Sequence, residues 1–117
     1  MNALGAMAER KAANYLTKKG YTLLEANYTC RFGEIDLILK NAKYLVFAEV
    51  KMRNENSIAQ PREFVDLKKQ KKIIASAQMY LSVNPTDLQP RFDVIEVFSK
   101  NGKIKSVKHL ENAFDLV

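Results

Sequence analysis

The chain of 117 residues is 47% hydrophobic and carries 19 lysines and arginines against 13 acidic residues, for a formal charge of +6. This is the size and make-up of one globular domain, residues 1–117, whose basic excess favours a polyanionic partner such as nucleic acid. Cys30, the single cysteine, excludes an internal disulfide framework, and no apolar run approaches the ~20 residues of a membrane-spanning helix.

The opening stretch, MNALGAMAERKAA, lacks the charged-then-apolar order of a signal peptide, so a cytoplasmic protein with no membrane partner is expected. Residues 3–19 space Leu4, Met7, Ala8, Ala12, Tyr15 and Leu16 by threes and fours, which predicts an amphipathic helix stopped by Gly20. Glu9 falls near Leu16 at the edge of the apolar stripe, where its carboxylate can lean over whatever the helix covers. Residues 21–28 read as a short strand and 29–33 as a turn. A hairpin follows, with strands over 34–40 and 44–51 joined around Asn41. The polar stretch 54–61 ends in Pro61, suited to a helix first turn, and a second helix is expected from there to about Leu81. Its apolar stripe holds Leu67, Ile73, Ile74, Ala77, Tyr80 and Leu81. A loop over 83–90, a strand over 92–99, a turn at Asn101-Gly102-Lys103 and a short strand over 104–109 complete the chain. The order is helix, three strands, helix, two strands, which predicts one mixed sheet with helices packed on it.

The hairpin GEIDLILKNAKYLVFAEVKMR sets Asp36, Glu49 and Lys51 in strands apolar enough to be buried on both faces, where a charge costs free energy unless something compensates it. Alternation puts Asp36 with Glu34 and Ile38, and Glu49 with Phe47 and Lys51. An even connecting loop brings Asp36 and Glu49 onto one face; an odd loop separates them. If they meet at about 4 Å, their repulsion costs on the order of 4 kcal/mol at an effective dielectric near 20, and a divalent cation reverses the sign. Two carboxylates with a backbone carbonyl and waters suit Mg²⁺, and Lys51 could orient a water or stabilise charge on a phosphate. The plainer alternative is an Asp36–Lys51 cross-strand ion pair with Glu49 solvated at the sheet end.

Asp36, followed after an apolar strand by Glu49-Val50-Lys51, resembles the D…(D/E)XK pattern of the PD-(D/E)XK nuclease superfamily, whose core runs helix, three strands, helix, strand. The wider set of Glu9, Gly20-Tyr21, Asn27-Tyr28, Gly33–Ile38, Val46–Lys51, Lys69, Tyr80-Leu81 and Arg91-Phe92-Asp93 resembles more closely the YraN-type family of small bacterial proteins, related to that superfamily and to Holliday-junction resolvases. The resemblance spans nearly the whole chain. It implies a restriction-endonuclease-like α/β fold of order α-β-β-β-α-β-β, with a central mixed sheet flanked by helices. It also implies a Mg²⁺- or Mn²⁺-dependent nuclease acting on DNA ahead of RNA, with a role in recombination or repair. Asp36 and Glu49 would be the metal ligands, Lys51 the catalytic lysine, and Glu9 a further acidic residue. The sequence departs from pattern at Ile35, where the superfamily often has Pro, at Ala8 in place of Gly, and at Thr29-Cys30, where the family tends to have Arg.

Lys69, at the edge of the second helix's stripe, is the best candidate for a phosphate or active-site contact, with Lys72 beside it among outward lysines that include Lys68 and Lys71. Arg53 and Arg62 flank the polar loop and could close on a nucleic-acid backbone. Asp93 is expected in an ion pair with Arg91 or another base, and His109 in a structural or exposed position. No separate sequence-reading domain is present, so a homodimer or protein partner could supply specificity. The alternative to a nuclease is a nucleic-acid-binding or assembly module that keeps the site without turnover.

Overall fold

In a computed structural model, which describes residues 3–55 and 65–115, the chain forms α1 (Ala3–Lys18), β1 (Thr22–Cys30), β2 (Gly33–Lys40), β3 (Tyr44–Asn54), α2 (Leu67–Val83), β4 (Gln89–Lys100) and β5 (Lys103–Phe114). The five strands lie in sequence order across one sheet. Every neighbouring pair is antiparallel except β3–β4, which is parallel. A parallel pair needs a long crossover, and α2 provides it. The expected helix and strand order and the mixed sheet are therefore present.

Alternation along the inner strands divides the apolar residues between two cores. Leu37, Leu39, Val46, Ala48, Ile95 and Val97 face α1, which covers them with Ala8, Ala12, Ala13 and Leu16. Ile38, Leu45, Phe47, Phe92 and Val94 face the other way, under Val65, Ile73, Ala77 and Tyr80 around α2. The two helices thus sandwich the sheet, and burial runs unbroken from Leu45 to Glu49 and from Arg91 to Val97. Each large apolar side chain so buried contributes about 1.5–3 kcal/mol. Phe92 stacks between Phe47 (5.6 Å between ring centroids) and Phe114 (5.1 Å).

Several boundaries differ from the sequence expectation: β3 runs on to Asn54, β4 begins at Gln89 inside the expected loop, and three others have a visible cause. The second helix begins at Leu67 rather than near Pro61, which lies outside the described residues, because Asp66 takes the N-cap position and its carboxylate accepts from Lys69 N at 2.8 Å. A side-chain acceptor at that position satisfies an N–H that the helix leaves open. Strand β1 continues to Cys30, leaving only Arg31 and Phe32 as the turn, since Cys30 pairs with Gly33. Strand β5 runs on to Phe114, bending through Asn112 at φ 52° so that Phe114 comes back against Phe92. In α1, Met7 is 42% exposed despite its place in the expected stripe, and Ala13 is buried instead.

The sheet's α1 face also buries charge. Arg91 donates from Nε and Nη2 to the two oxygens of Asp93 at 2.9 and 2.8 Å, and Nη2 also reaches Tyr21 Oη at 2.6 Å. The Asn112 N–H and His109 Nε2 complete the shell of Asp93 at 3.0 and 2.6 Å. Because the Lys19 ammonium can only donate, and stands 2.9 Å from His109 Nδ1, the ring proton belongs on Nε2, pointing at Asp93. Burial alone would raise the pKa of Asp93; the hydrogen bonds from His109, Arg91 and Asn112 hold it below the ordinary carboxylate value. The Arg91 pairing expected for Asp93 is present, and His109 is structural, its side chain only 1% exposed. Among the described residues no helix is long and apolar enough to cross a membrane.

Candidate active site

The hairpin turn settles the register that the sequence left open. Asn41 Oδ1 accepts from Lys43 N and Tyr44 N at 2.9 and 2.7 Å, and Lys40 pairs with Leu45 around a four-residue, even loop. Regular β2–β3 pairing runs from there to Leu37–Ala48 and stops. One step further, the same register sets Asp36 opposite Glu49, but the backbone ladder is replaced by a side chain: Val50 N–H donates to Asp36 Oδ2 at 2.8 Å.

Strand β2 twists sharply at this point. Residues two apart on a strand normally share a face. Here Ile35 joins the α2-side core while Leu37 joins the α1-side core, so the faces exchange across Asp36. On β1, Asn27 lies between the partners of these residues and adopts φ 55°, a left-handed conformation that Asn tolerates better than most residues. The continuous Glu34–Asp36–Ile38 face expected from alternation is therefore broken. Asp36 sits where both faces are within reach, which lets side chains from both helices converge on it.

From the α2 side, Glu49 is nine-tenths buried and Lys69 Nζ stands 3.6 Å from its Oε1. Burial and the neighbouring Asp36 charge push the pKa of Glu49 up to about 7, opposed by the charges of Lys69 and Lys51. From the α1 side comes Glu9. Burial and then the charges of Asp36 and Glu34 raise its pKa, while the Asn27 amide nitrogen, in the orientation that satisfies both its ends, donates to Glu9 Oε1 at 2.8 Å and Oε2 at 3.2 Å. Lys51 is half-buried on Glu49's face, and its charge acts on Glu49 through space; among the described residues Lys51 makes no hydrogen bond or ion pair with Asp36, so the simple cross-strand pair is not made.

The remaining expected residues fall as follows. Glu34 is exposed near the start of β2. Arg53 donates from Nε to the buried Glu96 at 3.1 Å, in the next strand. Lys72 is exposed on α2, and Arg62 lies outside the described residues. Asp93 and its partners belong to the α1-side network, separate from Asp36 and Glu49. Asn27 stood in the sequence only as part of the family resemblance, with no site role; an Asn inside a strand pattern, where it tolerates a positive φ better than most residues, was the further signal.

An α/β sheet of this order, flanked by two helices and opening at an acidic pair on β2 and β3, is the restriction-endonuclease-like fold. Residues 8–97 match the model of an uncharacterised protein family, UPF0102. The chain is 46% identical over 114 residues to the UPF0102 protein TTE1452 of Caldanaerobacter subterraneus subsp. tengcongensis, covering 95% of this chain and 93% of that one. It is 44% identical over 114 residues to a UPF0102 protein of Alkaliphilus oremlandii, covering 95% and 97% of the two chains. For the UPF0102 protein CD630_12710 of Clostridioides difficile the identity is 43% over 111 residues, with 94% and 95% covered. The chain belongs to the UPF0102, or YraN-type, family.

Proposed function

We propose that the protein is a metal-dependent nuclease that hydrolyses nucleic-acid phosphodiesters, with DNA as its substrate and Asp36, Glu49 and Lys51 as its working groups. One observation carries this reading: two carboxylates and two lysines converge where β2 and β3 cease to pair, a place where burial makes an uncompensated acidic pair costly. The pair fits Mg²⁺ or Mn²⁺. Its donors are hard oxygens, and burial leaves the two acidic groups repelling each other, a cost that a cation between them would remove. When bound, such an ion supplies Lewis-acid stabilisation and acidifies a water.

Asp36 and Glu49 would hold the ion, and Mg²⁺ commonly takes only one or two carboxylates, keeping waters and substrate phosphate for the rest of its shell. Lys51 places an ammonium on Glu49's face, where it stabilises charge building on a phosphate under attack or orients the attacking water. Lys69 neutralises part of the acidic field and brings the basic helix to the same mouth, offering the phosphate backbone a cation next to the chemistry. Glu9, held by Asn27, is a third carboxylate at the rim whose raised pKa suits proton exchange with a leaving group. A second reading, a nucleic-acid-binding or assembly module without turnover, draws on the basic helix α2, whose Lys69 and Lys72 would contact phosphate whether or not the site turns over.

The test is cleavage of a panel of DNA and RNA substrates with Mg²⁺ or Mn²⁺, with circular dichroism confirming the fold. Glu49→Ala abolishes cutting. Lys51→Ala slows it by about 10² to 10⁴-fold while metal binding survives. Cleavage at wild-type level in both variants overturns the assignment. A wild-type protein that binds metal and nucleic acid yet never cuts leaves the second reading standing.

A further inference from the structure

The turn between β1 and β2 carries chemistry that its geometry does not require. Two-residue turns favour Gly, Asn and Asp, yet this one presents Arg31 and Phe32, with Gly33 at φ 147° closing it. The Phe32 ring is 40% exposed, and the Arg31 guanidinium lies 4.9 Å from its centroid. An exposed aromatic ring with a guanidinium over one face can take a base on the other, in a cation–π stack that is sequence-tolerant because every base has a π-face.

The turn is held in place rather than hanging free. Its base is closed by the pairing of Cys30 with Gly33, the last step of the β1–β2 ladder. A Cβ at Gly33 would stand 3.6 Å from Lys72 Cβ and 3.7 Å from Ser76 Oγ, so backbone and helix are in contact there. Lys69, Lys72 and Ser76 follow one another at spacings of three and four, along one side of α2. At one end of this line Lys69 stands against Glu49; at the other Lys72 and Ser76 stand against the turn. Phe32, in the turn just ahead of β2, precedes Asp36 by four residues, at most about 14 Å of extended chain. A line of cations thus connects the acidic mouth to an aromatic platform.

We propose that the Arg31–Phe32 turn is a base-stacking site, and that the substrate is a strand with an unpaired or already unstacked base, its backbone following Lys69 and Lys72 while that base lies on Phe32. The proposal rests on the nucleic-acid reading of the acidic mouth but not on turnover. A base inside a continuous duplex has no free face to offer and must first be unstacked, whereas single strands, forks and gaps present one at no such cost.

Binding is measured in EDTA, so that no cutting intervenes, to single-stranded DNA, a continuous duplex and a splayed fork with 2-aminopurine at the branch. Wild type binds the single strand and fork more tightly than the duplex, and the 2-aminopurine emission changes on binding. Phe32→Ala weakens the first two by about tenfold and leaves the duplex unchanged; Phe32→Trp restores them. Because Phe32 is a surface residue, urea denaturation of Phe32→Ala should match wild type, separating lost stacking from lost folding. Unchanged affinity in Phe32→Ala, or an equal loss on all three substrates, overturns the proposal alone. No binding of wild type to any of them overturns it together with the nucleic-acid reading, while binding without cleavage in the Mg²⁺ assay counts only against the nuclease.

Discussion

Glu49→Gln isolates the cost of the acidic pair, because it removes one charge and keeps the side chain's shape. In the unfolded chain Glu49 titrates near 4.5, and in the fold burial and Asp36 push it up to about 7. The folded state therefore binds this proton more tightly. Stability from this group is fully present below pH 4.5 and is lost as pH rises through about 7, the reverse of the usual behaviour of a salt-bridged carboxylate. Integrated over that window, the shift corresponds to at most about 3 kcal/mol, so the expected value is roughly 1–3 kcal/mol. Urea denaturation followed by circular dichroism in EDTA, at pH 5 and pH 8, measures it as a difference between wild type and Glu49→Gln, so that titrations elsewhere in the protein cancel. The variant should be the more stable by roughly 1–3 kcal/mol at pH 8 and close to wild type at pH 5. Adding Mg²⁺ at pH 8 should stabilise wild type and leave the variant little changed. A Glu49→Gln protein less stable than wild type at pH 8, or with the same pH dependence, would show that Asp36 and Glu49 do not repel and would remove the reason for a cation between them.

Neutralising Lys69 and Lys72 together should flatten the plot of log affinity for DNA against log salt by roughly one to two units, read from a titration series; an unchanged slope would take α2 out of the interface. Asp93→Ala leaves Arg91 buried without its bidentate partner and should cost about 3–5 kcal/mol in urea denaturation. Asp66→Ala removes the N-cap of α2 and should cost about 1 kcal/mol, with a matching small loss of helical signal on warming.

The order of elements was legible in the sequence because each element's periodicity is local. Spacings of four in Ala8, Ala12 and Leu16 make a helix whatever surrounds it, and unbroken apolar runs such as Leu45–Ala48 can be strands only if both faces are covered. The residue types at Asp36, Glu49 and Lys51 likewise stood out as charges in buried strands, with Lys69 at the helix edge. Their convergence was not legible. It depends on the parity of the loop after Lys40, and on Asp36 giving its carboxylate to Val50 N–H where the ladder ends. It depends too on the exchange of faces across β2 that brings Glu9 and Lys69 to one mouth from opposite sides of the sheet. Nor could spacing place Asn27 against Glu9, or turn Arg53 towards Glu96, since those contacts join segments whose distance apart along the chain carries no period. Local patterning is written residue by residue along a chain, but register and twist are properties of pairs of strands, and only the closed sheet decides them.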